Sequence, residues 1–250
     1  MSLLLARLEW KRQFAQPLAW VLLAVLLALL AYFFLLSLDA YLRLMPKLAG
    51  TPSAPGVTDL IALPLLRACA SVLLLVAPLI GMRTIASERQ AGTFALLAAS
   101  GMGDGAIVRG KWLGVVALLA VFIALALALP LSLEVGTALD LGRLAAAALG
   151  LLLFAAALAA IAVAASAYTE QPIVAAVVAL ASNLILWMAD AGARYEGMES
   201  GFINYLALPT HLEPFLHGLV ASVDVIYFLL LIGVALTLAA RRLGVARRHA

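Results

Sequence analysis

The sequence predicts an all-α polytopic membrane protein with six transmembrane helices in one transmembrane domain, residues 1–250. Three observations predict it. Of the 250 residues, 66% are hydrophobic and 12% are charged, against about 25% charged in a soluble domain. Several apolar runs reach the roughly 20 residues that a helix needs to cross a bilayer. Lys and Arg gather at the ends of those runs, where they set topology. That placement, rather than one basic face, argues against nucleic acid as the partner of a chain with formal charge +3.

Residues 1–16 read as an interfacial helix. Leu3, Ala6, Trp10 and Phe14 share one face, with Glu9, Arg12 and Gln13 on the other. An ordinary basic flank fits the same residues. The six spans run Pro17–Leu38, Ile61–Met82, Trp112–Leu133, Leu144–Ala167, Pro172–Ala189 and Val223–Ala240. The first is too long for a signal-peptide core and has no small-residue cleavage site after it, so it is read as retained. Asp39–Leu60, with its Pro and Gly residues, reads as an irregular outer loop. The segment 190–222 is apolar yet broken by Gly201, Pro209 and Pro214. It reads as a semi-buried extracytoplasmic loop of short helices dipping into the outer leaflet.

The flanking charges orient the chain. One side holds Arg7, Lys11, Arg12, Arg83, Arg89, Arg109, Lys111, Arg241, Arg242, Arg247 and Arg248; the other holds Arg43, Lys47, Arg143 and Arg194. The richer side is expected to be cytoplasmic, with both termini inside. Cys69, the only cysteine, lies within a span and excludes an internal disulfide.

Several motifs carry chemistry on paper. Gly105–Lys111 matches part of a phosphate-binding loop, but Trp112 stands where Ser or Thr must hold magnesium, and a helix rather than a strand precedes it. Gly101–Ala106 matches a relaxed dinucleotide fingerprint without its βαβ setting. His211, Glu213 and His217 do not share one helical face, and Pro214 intervenes, so no metal is assigned. No catalytic group emerges. Arg67, Glu170, Asn183 and Asp190 are candidates for a polar translocation path. For Arg67, snorkelling to the outer surface is an equal account; for Asn183, a helix–helix hydrogen bond is the plainer one.

The most informative segment is 83–111. Ser87 with Gln90 three residues on forms a capping-box pattern. A helix is expected from there to about Ala99, with Phe94, Leu96 and Leu97 supplying apolar surface. Such a helix at the membrane surface suits a cytosolic partner; a plain interfacial loop is the alternative.

Met82–Trp112 resembles the first cytoplasmic loop of the type-2 ABC exporter permeases. The matching residues are Glu88, Arg89, Gly92, Thr93, Leu96 and Leu97, then Ile107, Val108, Gly110 and Lys111. Tyr205–Arg242 is similar to the last-span region of the permeases of gliding motility and of copper-site maturation in nitrous oxide reductase. There His211, Phe215, Gly218, Asp224, Tyr227 and Phe228 fit, and Leu212 replaces the usual Phe.

The resemblance implies a permease subunit in a bacterial inner membrane, not itself an enzyme and holding no cofactor. It would pair with a second permease, identical or related, and with two ABC ATPase subunits that bind ATP and Mg. An extracytoplasmic accessory protein and membrane lipid are further expected partners. Residues 83–111 would form the coupling loop. Glu88 and Arg89 would make polar contacts to the ATPase, Phe94 and Leu97 apolar ones, with Gly92, Thr93 and Leu96 completing the motif. An autonomous secondary transporter, or a membrane anchor for an ATPase without transport, are the alternatives.

Overall fold

The computed structural model describes residues 17–48, 56–93, 103–137, 139–195 and 205–248. The expected interfacial helix, residues 1–16, lies outside them. Six helices are long and apolar enough to cross a membrane, and no strand occurs among the described residues. They are α1 (Pro17–Leu48), α2 (Leu63–Gly81), α4 (Asp104–Leu131), α5 (Leu141–Tyr168), α6 (Pro172–Tyr195) and α8 (Ser222–Arg248). Two short helices join them: α3 (Ala86–Gln90) between α2 and α4, and α7 (Leu208–Leu216) between α6 and α8. A π-helical turn, Thr58–Ala62, leads into α2.

The ends differ from the sequence reading. α1 continues through Leu48 instead of giving way to a loop at Asp39. An ion pair one turn apart, Arg43 Nε to Asp39 Oδ2 at 2.9 Å, lies along the extension. α4 begins at Asp104, well before Trp112, because Gly103 is extended and the helix starts directly after it.

α5 is the axis of the bundle and packs against α2, α4, α6, α7 and α8. Its composition explains this. Between helices in a membrane there is no hydrophobic driving force, so association rests on close packing of small residues. Ala147, Ala155, Ala157, Ala159, Ala160 and Ala162 of α5 are all fully buried. α2 crosses so near that a Cβ on Gly81 would lie 2.4 Å from Ala162 Cβ. α7 lies against α5 just as closely: a Cβ on Gly150 would lie 2.4 Å from Phe215 Cβ. An aromatic cluster of Phe154, Trp187, Phe215 and Phe228 knits α5, α6, α7 and α8. Trp112 of α4 donates its indole N–H to the Ala156 carbonyl at 2.9 Å. The outward faces of α1, α6 and α8 expose Val21, Val25, Val177, Ile185, Leu230 and Val234. Such a surface suits lipid rather than water.

α7 is a short helix packed on the spans, with Leu208, Leu212, Phe215 and Leu216 buried. Residues 196–204, which were expected to share that role, lie outside the described ones.

Candidate functional site

The α2–α4 connection is built around a short, firmly held helix. A helix start leaves backbone N–H groups without intrahelical partners. The Ser87–Gln90 capping box expected to satisfy them is not formed. Ile85 occupies the N-cap position without a side-chain bond, and Ser87 Oγ donates instead to the Arg83 carbonyl. The cap comes from another helix. Ser166 Oγ of α5 accepts from Ile85 N at 3.0 Å and Ala86 N at 2.9 Å, and donates to the Met82 carbonyl at 2.9 Å. One buried hydroxyl therefore fixes the end of α2 and the start of α3 to α5.

α3 ends at Gln90 rather than near Ala99. Gly92 adopts φ +70°, a left-handed conformation that terminates helices and suits glycine. Its N–H bonds the Arg89 carbonyl at 3.1 Å. Thr93 Oγ1 then donates to the Glu88 carbonyl at 3.3 Å. The Gly-Thr pair thus acts as a helix stop. Phe94, Leu96 and Leu97 lie outside the described residues.

Glu88 is turned inward. Its Oε1 accepts from Lys111 Nζ at 2.6 Å, and both side chains are almost wholly buried. Burial of two charges is tolerable only because they are paired at close range. This contact joins α3 to the first turns of α4. Arg89, next in sequence, lies within electrostatic reach of Arg242 of α8 and Glu170 of the α5–α6 turn. The Arg242 guanidinium sits 5.7 Å over the Tyr168 ring. The ends of α2, α3, α4, α5 and α8 therefore meet in one polar layer at this end of the bundle.

The opposite end carries a second polar group. Arg67 of α2 makes a two-pronged contact with Glu213 of α7, Nε to Oε1 and Nη2 to Oε2, each at 2.9 Å. Arg143 of α5 donates from Nη1 to Asp59 Oδ1 at 2.6 Å and from Nε to the Leu216 carbonyl at 3.2 Å. His217 lies between the two arginines, 3.5 Å from Arg67 Nη2 and 3.2 Å from Arg143 Nη2. His211 faces elsewhere. Its Nδ1 is 2.7 Å from Asp224 Oδ1 and its Nε2 is 2.8 Å from the Tyr205 carbonyl. The Tyr205 carbonyl only accepts, so that bond is donated by Nε2–H of His211; the Nδ1 contact needs a hydrogen on either His211 or Asp224. The imidazole also stacks on Tyr227 at 3.9 Å, whose hydroxyl donates to the Leu206 carbonyl. His211, Glu213 and His217 consequently do not converge. His211, Asp224, Tyr227, Phe215 and Phe228 do, as the knot that seats α7 on α5 and α8.

The residues considered for a polar path are spread along the bundle. Arg67 is tied up with Glu213 at one end, and Glu170 is exposed at the other. Asn183 is fully buried within α6, and its amide makes no hydrogen bond among the described residues, in place of the expected interhelical one. Asp190 lies in α6, with its side chain outside the described part.

Sequence reasoning missed the Ser166 cap, the Lys111 partner of Glu88 and the Arg143–Asp59 pair. These contacts join residues 80 or more positions apart in two cases and 23 in the third. The one legible signal was a lone charge inside or beside an apolar run, which demands a partner. No family model and no curated protein matches the chain.

Proposed function

We propose that this chain is a transmembrane permease subunit of an ATP-driven exporter of the ABC type, in a bacterial inner membrane with both termini cytoplasmic. Two permease subunits frame the path, and two soluble ATPase subunits, which bind ATP and Mg, sit beneath them. The observation that carries the reading is the double anchoring of α3. Ser166 ties it to α5, and the Glu88–Lys111 pair ties it to α4. A helix held this way cannot tilt alone; a push on it moves the ends of α2, α4 and α5 together. That is the lever an ATPase needs to switch a bundle between two rigid-body arrangements.

In this reading Glu88 positions α3 from inside instead of touching the ATPase. Arg89 and the segment after Thr93, with Phe94, Leu96 and Leu97, supply the contact surface. The Gly92–Thr93 turn sets where that segment leaves the helix.

The chain, solubilised from its native membrane, is expected to co-elute with a soluble ATPase. Replacing Arg89 and Phe94 together should reduce the recovered ATPase several-fold. Ser166→Ala should leave ATPase binding largely intact while lowering transport per ATP hydrolysed in reconstituted vesicles. A chain that elutes alone, or with membrane proteins only, would overturn the exporter reading in favour of an autonomous transporter.

A further inference from the structure

Beside α3 lies a cavity of about 460 Å³. One wall is Met82, Arg83, Ser87 and Gln90; the other includes Gln171 and Ile173 at the start of α6. Both walls are fixed. The first is held through Met82, Ile85 and Ala86 by the Ser166 hydroxyl. The second is held by Gln171 N on Thr169 Oγ1 at 3.1 Å and by Ala175 N on the Gln171 carbonyl at 3.1 Å.

Its polar groups are unspent. Arg83, Gln90 and Gln171 are exposed. Among the described residues, neither the Arg83 guanidinium nor the two amides has a hydrogen-bond or ion-pair partner. The charge at this end of the bundle is positive: with Arg83, the side chains of Arg89, Arg109, Arg241 and Arg242 outweigh Asp104 and Glu170, while Glu88 and Lys111 neutralise each other.

We propose that this recess seats an acidic segment of the soluble ATPase partner, with Arg83 gripping a carboxylate and Gln90 and Gln171 bonding the segment's backbone. The inference rests on the exporter reading. A guanidinium matches a carboxylate with two parallel bonds. The paired amides present acceptors as well as donors, which a polypeptide backbone uses and a phosphate group, offering acceptors only, does not. The apolar rim, with Ile173 75% exposed, gives such a segment something to cover.

The test places a photo-crosslinking residue at Gln171 of the full chain in its native membrane and identifies the adduct by mass spectrometry. The expected adduct is the ATPase, through a peptide containing Asp or Glu. Arg83→Glu should cut its yield about tenfold, the loss of one charge-assisted pair. Arg83→Lys should retain part of it, and reversing the partner's carboxylate should rescue Arg83→Glu. Thermal unfolding of Arg83→Glu, an exposed site, is expected to match the parent and so separates docking from folding. A lipid adduct overturns the inference. So does an ATPase adduct indifferent to Arg83→Glu, or a Gln171 site that stays unreactive while the ATPase still co-elutes; both leave the exporter reading standing. Absence of any co-eluting ATPase overturns the two together.

Discussion

Lys111 shows how one residue can be conspicuous in sequence and still unreadable in role. It ends a Gly-Lys pair at the mouth of an apolar run, where a lysine is expected to snorkel into the headgroup region. Instead its side chain is fully buried against Glu88. Removing one partner of a buried ion pair costs about 3–5 kcal/mol, because the remaining charge loses its nearest counterion. Lys111→Ala is therefore expected to destabilise the chain by about 3 kcal/mol in detergent unfolding measurements. Replacing both, Lys111→Met with Glu88→Leu, should recover most of that loss. Additive losses in the double variant would show that the two side chains do not depend on each other. The presence of two charges near the bundle end could be read from the sequence. Their pairing could not, since α3 and the Gly92 stop decide which way Glu88 points. Ser166 is less legible still, one hydroxyl in an alanine-rich span whose importance comes from backbone groups 80 and more residues away.

At the scale of elements, the long helices were legible and their ends were not. A bilayer demands some 20 apolar residues and internal satisfaction of every backbone group, so composition alone marks six spans. Where a helix stops depends on caps and neighbours. α1 outruns its apolar stretch, α3 is cut short by Gly92, and α4 starts early after Gly103. The crossing of α2 and α5 is likewise set by two small residues that no periodicity singles out. Gly81→Ala would bring two Cβ atoms to 2.4 Å, and overpacking of this kind costs about 1–3 kcal/mol. The variant is expected to unfold earlier by that margin in detergent. Adding Ala162→Gly, which removes the opposing Cβ, should restore most of the loss. If the second substitution deepens the defect instead, the α2–α5 contact is not where Gly81 acts.

At the scale of the whole molecule, the charges of the two faces differ in kind as well as number. On the α3 side stand Arg83, Arg89, Arg109, Arg241 and Arg242, beside the neutralised Lys111. On the other side each of the three arginines with a described side chain faces an acid: Arg43 with Asp39, Arg67 with Glu213, Arg143 with Asp59. The positive-inside bias counts Lys and Arg near span ends, and the proposal that the α3 side faces the cytoplasm, where a soluble ATPase partner would sit, rests on it. Cysteine labelling tests this directly, since Cys69 is buried and is the chain's only thiol. In a Cys69→Ser background, Val135→Cys, at a position 98% exposed in the turn after α4, should react with a membrane-impermeant maleimide on intact cells. Gln90→Cys, exposed at the end of α3, should react only after permeabilisation. The reverse pattern would put α3 and its recess outside the cell, beyond the reach of any ATP-binding partner, and both the exporter reading and the Arg83 docking site would fall with it.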